Sequence, residues 1–313
     1  MNKKQIKFLT LFFAFLFIAP IYASDPYLVA EWHFDECSGN ILHDSSGNGN
    51  DGTIHGDATW TEGIIGNALS FDGVGDYVTI PINSSSLLNI NGTQITQSAW
   101  IYALSSVTHG TIATRNGAYY FQRDDNGKLA SYLYGTTPET YMYSDSTIPL
   151  NHWSFVAYTY NGSELRFYID GKTSGIIQLT GNITPLFNKE PFRIGWDNFK
   201  TERYFHGKID EVRIYNRALS DEEIKAHYDA IMHPASAYPN ATKNAIIITR
   251  SSDWRDLVHA QSTGRQVIFT ETITDKIKNE IAASNTDQIW LLGDIQNKED
   301  INATQITSCD HIP

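Results

Sequence analysis

Cysteine (two), methionine (three) and proline (ten) are scarce in this 313-residue sequence, and its 23 Lys and Arg are outnumbered by 35 Asp and Glu. Each shortage removes a class of protein. Two cysteines cannot build a disulfide-dense mini-domain, and they lack the spacing of a thiolate zinc site. Ten prolines and 22 glycines exclude a collagen-like or low-complexity chain. A formal charge of −12 opposes binding to a nucleic-acid backbone, which needs clustered positive charge, so no nucleic acid is expected as a partner. At 41% hydrophobic and 12% aromatic, the chain has enough apolar surface to bury a core, so wholesale disorder is excluded as well.

Long apolar runs are scarce too. One covers Phe8 to Ile18, broken by Thr10, preceded by Lys3, Lys4 and Lys7 and followed by Ala19-Pro20-Ile21-Tyr22-Ala23. That order is the pattern of a secretory signal over residues 1–23, with cleavage after Ala23, and the run is shorter than a bilayer span needs. An uncleaved anchor is the alternative. The mature chain is expected to be secreted or held at the cell surface, with no transmembrane segment. Sequons at Asn83, Asn91, Asn161, Asn182, Asn240 and Asn302 agree weakly with export. In an oxidising compartment Cys37 and Cys309 can close one large loop or remain two separate thiols.

From Tyr27 to about Tyr215 short alternating or apolar runs are separated by Gly, Asn, Asp and Ser, as in an antiparallel β-sandwich. Examples are Leu28–Phe34, Ala99–Tyr102, Trp153–Tyr160, Leu165–Ile169 and Ile209–Tyr215. Asn161-Gly162 predicts a hairpin with positive φ in its turn. Ser220-Asp221-Glu222-Glu223 is a capping box that starts a helix over Asp221–Met232. Residues 233–239, with two prolines, read as a linker after a first domain of residues 24–232. In residues 240–313 the pattern changes to strands at Ala245–Thr249, Val267–Thr270 and Ile289–Leu292, alternating with helices at Asp253–Gln261 and Asp275–Ala283. That alternation predicts a small α/β segment with a parallel sheet. The absence of a closing strand or helix near Ser308–Pro313 agrees with a segment cut short.

Several motifs together carry a resemblance. Ala30-Glu31-Trp32-His33-Phe34-Asp35-Glu36, Asp44-Ser45-Ser46-Gly47-Asn48-Gly49-Asn50-Asp51-Gly52, Gly66–Gly73 and Asp76-Tyr77-Val78 fall in order. Trp153–Thr159 and Phe167–Lys172 follow, and then His206–Ser220 with Glu223-Ile224. Over residues 27–228 the chain resembles laminin-G-like domains of the concanavalin A-like jelly rolls. The likeness implies a mainly β jelly-roll sandwich that binds glycans or serves adhesion, and Cys37 stands where that family usually has Gly. More weakly, Ile246–Leu257, Gln266–Thr270 and Trp290–Asp294 resemble one repeat of a cell-wall-binding family, which implies attachment to a cell wall through this segment.

Two sites follow. Asp44, Asn48 and Asn50 sit on one loop with the hard oxygens Ca²⁺ prefers. Asp210 shares strand parity with Val212 and Ile214, and if those face the core so does its carboxylate, which then needs a partner. The first and last strands of such jelly rolls run side by side, so loop and Asp210 are expected to converge on Ca²⁺. The alternative is an Asx-rich turn and an Asp210 bonded to backbone N–H groups. Tyr119, Tyr120, Tyr132, Tyr134, Tyr141 and Tyr143 crowd one stretch, and the last four pair with strand parity, as a sugar-stacking platform requires. Trp196, beside Asp197 on a loop, is a further candidate. The alternative is cross-strand packing without a ligand.

For catalysis, the fold's glucanases carry Glu-x-Asp-x-x-Glu or Glu-x-Asp-x-Glu on one strand, whereas the nearest string here begins with Lys208, ahead of Asp210 and Glu211. There is no His-Glu-x-x-His, Gly-x-Ser-x-Gly or phosphate loop, and His33, His109 and His206 read as surface or turn residues. The expectation is a non-catalytic, calcium-stabilised carbohydrate-binding or adhesion module. A polysaccharide-degrading enzyme and a ligand-free spacer are the rivals.

Overall fold

A computed structural model describes residues 25–232, except 84, 107, 108, 188, 189 and 200–202, together with four strands farther along. Residues 1–23 and the linker lie outside the described residues.

Two eight-stranded sheets form a sandwich. The first contains β1 (Leu28–Trp32), β4 (Thr59–Glu62), β5 (Asn67–Asp72), β7 (Ile95–Ala103), β13 (Trp153–Tyr160), β14 (Glu164–Ile169), β15 (Lys172–Gln178) and β18 (His206–Tyr215). The second contains β2 (Ile41–Leu42), β3 (Gly52–His55), β6 (Tyr77–Ile80), β8 (Gly110–Arg115), β9 (Tyr119–Arg123), β10 (Lys128–Leu133), β12 (Met142–Thr147) and β17 (Phe192–Ile194). β11 (Thr136–Thr137) and β16 (Thr180–Gly181) make a separate pair. The second sheet runs in the order β12-β10-β9-β8-β17-β6-β3-β2. In the first, β18 pairs with β1, β5 and β7, so the first and last strands do lie side by side.

The local reasons are those the sequence offers. Residues of one parity meet between the sheets: Trp32, Phe71, Ile101, Tyr158 and Phe167 from the first, Val78, Ile80, Phe121, Leu129 and Ile194 from the second, all fully buried in one cluster. Removing that much apolar surface from water is the main driving force for the fold. The Asn161-Gly162 hairpin joins β13 to β14 with Tyr160 opposite Leu165. Gly162 has the positive φ, while Asn161 uses its Oδ1 to accept from Ser163 N and Glu164 N at 3.0 Å each.

The helix α1 (Asp221–Met232) begins at the expected box. Glu223 N donates to Ser220 Oγ at 3.2 Å and Ser220 N to Glu223 Oε2 at 2.8 Å. Its Ile224, Tyr228 and Ile231 lie on the face of the first sheet turned away from the main core, among Trp100, Phe155, Tyr168 and Tyr215. The first sheet is thus buried on both sides.

Cys37 adopts φ 59°, the left-handed region that favours the glycine usual in such domains. It is disulfide-bonded, and Cys309 lies outside the described residues. Farther on, β19 (Ala245–Ile248), β20 (Gln266–Phe269), β21 (Trp290–Leu292) and β22 (Thr304–Ile306) form a parallel sheet in the order β20-β19-β21-β22. The three expected strands are there, and the fourth is an addition close to the end that the sequence reading left without one. The two expected helices fall outside the described residues.

Candidate functional site: the outer face of the second sheet

The second sheet also has a face turned away from the core, and register decides what stands on it. Tyr132 pairs with Tyr120, Tyr120 with Thr114, Thr114 with Arg193, and Arg193 with Thr79. Because paired residues share a face, these side chains form one row across five strands. Ser131 pairs with Met142 and Ala130 with Tyr143, which brings Tyr141 and Tyr143 to the same face.

Five of the six crowded tyrosines therefore form a continuous patch. Ring centroids are 4.8 Å apart for Tyr132 and Tyr134, 5.2 Å for Tyr132 and Tyr141, 6.3 Å for Tyr141 and Tyr143, and 6.2 Å from Tyr120 to each of Tyr132 and Tyr134. Tyr143 is 38% exposed, and Tyr132, Tyr134 and Tyr141 are half-buried. Partial burial, aided by the Glu139 carboxylate that accepts from its hydroxyl at 3.1 Å, pushes the Tyr132 phenol up to about 12.

Tyr119 is a correction. Adjacent residues in a strand face opposite sides, so with Tyr120 outward Tyr119 points inward. It is fully buried in the core, and its hydroxyl donates to Leu88 O at 2.8 Å.

Beside the patch lies a polar group assembled from distant segments. Arg203 Nη1 donates to Asp197 Oδ2 at 2.8 Å and to Tyr141 Oη at 3.1 Å. Gln122 Nε2 donates to Asp197 Oδ2 at 3.0 Å. His109, held at φ 53°, stacks at a tilt on Tyr141 with centroids 4.7 Å apart. Both its ring nitrogens are buried and, among the described residues, have no hydrogen-bond partner. Burial and, after it, the Arg203 charge hold this imidazole below its ordinary pKa. A neutral imidazole offers one donor and one acceptor, the complement of a hydroxyl group. His109, expected as a surface or turn residue, instead packs against the tyrosine patch, and Arg203 carries no signal in the sequence. His33 and His206 are likewise not free on the surface: His33 Nδ1 is 2.9 Å from Glu211 Oε1, and His206 Nδ1 is 2.7 Å from Ser105 Oγ.

A second aromatic group stands at the far side of the same face. His55 and Tyr77 stack at 4.6 Å, Tyr77 lies 5.0 Å from Trp196, and Trp196 stacks on Tyr204 at 4.9 Å and 10°. The Arg193 guanidinium is 5.9 Å from the Trp196 ring. Of these, only Trp196 was legible as a candidate.

The residues expected to meet at a metal separate into two places. Asp44 accepts five hydrogen bonds, from Glu31 N, Ser46 N, Ser46 Oγ, Asn50 N and Asn50 Nδ2, at 2.8–3.1 Å. Asn48 Nδ2 donates to Leu28 O and Val29 O, and Asn50 Nδ2 to Val29 O. Asp210 is buried, but its Oδ2 accepts from Ile64 N at 3.0 Å and Ile65 N at 3.3 Å, backbone groups remote in sequence from the loop. The parity argument failed because Glu211, at φ 51°, forms a bulge that shifts the register between Asp210 and Arg213 and so reverses which side Asp210 takes.

The domain is thus a jelly-roll sandwich with one outer sheet face covered by a helix and the other presenting aromatic rings. Residues 72–225 match the family model described as the concanavalin A-like lectin/glucanases superfamily, and the sandwich formed by these strands has the concanavalin A-like fold. Among solved structures it is similar to domain 4 of AbnA, a GH43 extracellular arabinanase from Geobacillus stearothermophilus, in complex with arabinotriose. That match has 24% identity and a TM-score of 0.51 over 63% of this chain and 96% of the other. It is also similar to the binding domain of Paraclostridial Mosquitocidal Protein 1, at 16% identity and a TM-score of 0.54 over 66% of this chain and 53% of that one. A third is the binding domain of botulinum neurotoxin DC in complex with rat synaptotagmin II, at 16% identity and 0.51 over 67% and 53%. At these identities the likeness is one of fold. The chain thus spans about half the length of the two toxin domains. No curated protein matches the sequence. No helix among the described residues is long and apolar enough to cross a membrane.

Proposed function

We propose that the domain is an exported, non-catalytic carbohydrate-binding module, and that its ligand lies on the outer face of the second sheet. The observation that carries this reading is the patch of Tyr120, Tyr132, Tyr134, Tyr141 and Tyr143 beside a histidine whose two ring nitrogens have no partner among the described residues. Aromatic rings cover the apolar side of a sugar ring, and His109 and Arg203 take hydroxyls around it. The similarity to a domain solved with arabinotriose agrees with this.

Glycoside hydrolysis needs two carboxyl groups across the bond, one of them held protonated. Asp197 is fully buried and bound by Arg203 and Gln122. Asp124 is occupied within its own turn, accepting from Lys128 N at 2.6 Å and from Asn126 Nδ2 at 3.3 Å. Both are thereby taken up in hydrogen bonds within the fold, which argues for recognition without chemistry. The test is a polysaccharide panel assayed for binding and for reducing-end release. Binding without release is expected; release would make the protein an enzyme, and no binding to any member would leave a structural spacer.

For calcium, the loop of residues 44–52 fits only in part. As it stands, its two amides bridge carbonyl oxygens. Turned over, Asn48 and Asn50 would present oxygens beside Asp44 Oδ2, Leu28 O and Val29 O, a hard-oxygen set of the kind Ca²⁺ takes. Asp210 is outside that set. Calcium should therefore raise the unfolding temperature of the native chain and of Asp210→Asn, but not of Asp44→Ala. The C-terminal sheet, through its likeness to a wall-binding repeat, is proposed to attach the chain to a cell wall.

A further inference from the structure

We propose that the outer face of the second sheet binds a linear oligosaccharide laid across its strands, with a second subsite made by Tyr77, Trp196 and Tyr204. The proposal rests on the glycan-binding reading above and adds the shape and minimum length of the ligand.

Three observations carry it. The two aromatic groups lie on one face, joined by the register row Tyr132–Tyr120–Thr114–Arg193–Thr79. The first group stands on β9, β10 and the start of β12; the second is anchored at Tyr77 on β6. β10 and β6 are four steps apart in the sheet order, about 19 Å at the usual strand spacing, a span that one or two sugar units cannot cover.

Between them, among the described residues, the register row itself is polar, and the one ring beside it is the exposed Phe199 lying 5.2 Å from the Arg203 guanidinium. Thr114 and Arg193 occupy the row, and the Asp197–Arg203 pair stands alongside it. A chain of sugars needs this alternation, with rings under the units at either end and hydrogen-bonding groups beneath the units between them. The second group is also preserved as a platform. Trp196 and Tyr204 are parallel to within 10°, both are half-buried, and the Arg193 cation lies against the indole, which fixes the ring's position.

A packing role alone would tie the segment after β17 to Tyr77 and require no ligand, and chain length separates the two explanations. The full chain would be titrated calorimetrically with arabino-, xylo- and manno-oligosaccharide ladders of two to eight units, alongside Trp196→Ala, Trp196→Phe and Tyr132→Ala. We expect affinity to rise at least tenfold between the shortest and the six-unit members of the ladder that binds. Trp196→Ala should abolish that gain while leaving the short members unchanged, and Trp196→Phe should keep most of it.

Affinity that is flat with length, or Trp196→Ala weakening every length equally, would overturn the second subsite while leaving the tyrosine patch as the binding site. If no ladder binds, the proposal and the glycan reading beneath it both fall. Should Trp196→Ala not fold, the Trp196 indole N–H resonance, assigned by its loss in Trp196→Phe, decides instead: it must shift with the six-unit ligand.

Discussion

The two sheets have outer faces with similar raw material and opposite fates. On the first, Trp100, Phe155, Tyr168 and Tyr215 lie under α1, with Tyr228 stacked on Trp100 at 5.7 Å and 16°. On the second, Tyr132, Tyr134, Tyr141 and Tyr143 pack against one another, edge-on, tilted or stacked, and keep surface open to solvent. The same residue types in the same kind of strand are core in one case and a presented surface in the other. What separates them is what the chain does next. The capping box after β18 sends a helix back over the first sheet, whereas the segment between β17 and β18 brings Asp197, Arg203 and Tyr204 to the second. Aromatic content in a strand therefore says little about ligands until the covering element is known.

Mutation should split the two faces cleanly. The largest effect is expected from Trp100→Ala, which opens a cavity beneath the helix and should lower stability by about 3–5 kcal/mol, measured by urea unfolding, while the folded fraction still binds glycan. Next, Tyr132→Ala combined with Tyr141→Ala should weaken glycan affinity about a hundredfold, roughly 3 kcal/mol, with a much smaller change in unfolding midpoint. If instead the double variant loses its fold and Trp100→Ala loses only binding, the assignment of roles is inverted.

A third effect is in pH. His227, on α1 and beside Tyr215 at 5.9 Å, is pushed down to about 4 by burial and by the Arg213 charge. The unfolded chain then binds this proton more tightly, so the native state is fully favoured above about pH 6.5 and loses that advantage as pH falls towards 4. About 2 kcal/mol should disappear over the window, allowing for partial screening, and His227→Gln should flatten that part of the stability profile. The smallest effect is that of Tyr119→Phe. Losing the bond to Leu88 O should cost about 1 kcal/mol and leave glycan affinity unchanged, which a side-by-side titration would show.

How far the sequence reached differs between fold and site. The longer strands and α1 were legible because alternation and the Ser220–Glu223 box are local signals. Pairwise parity also put Tyr132 with Tyr134 and Tyr141 with Tyr143. It could not choose between Tyr119 and Tyr120, since adjacency makes one of them core and only the registry with β8 and β10 says which. Asp210 was misplaced for a related reason: a period of two assumes an unbroken strand, and the bulge at Glu211 breaks it. Tyr77, His109, Arg203 and Tyr204 were out of reach because they join the site through pairings far apart in sequence, such as β6 with β17.

The central claim is that the open tyrosines touch sugar and the covered ones do not. Tyrosine-selective ring labelling with NMR, during titration by a glycan found on the panel, tests it directly. The account predicts shifts at Tyr132, Tyr141 and Tyr143 and none at Tyr119, Tyr158 or Tyr168. Shifts confined to the rings beneath the helix, or spread equally over both sets, would contradict it.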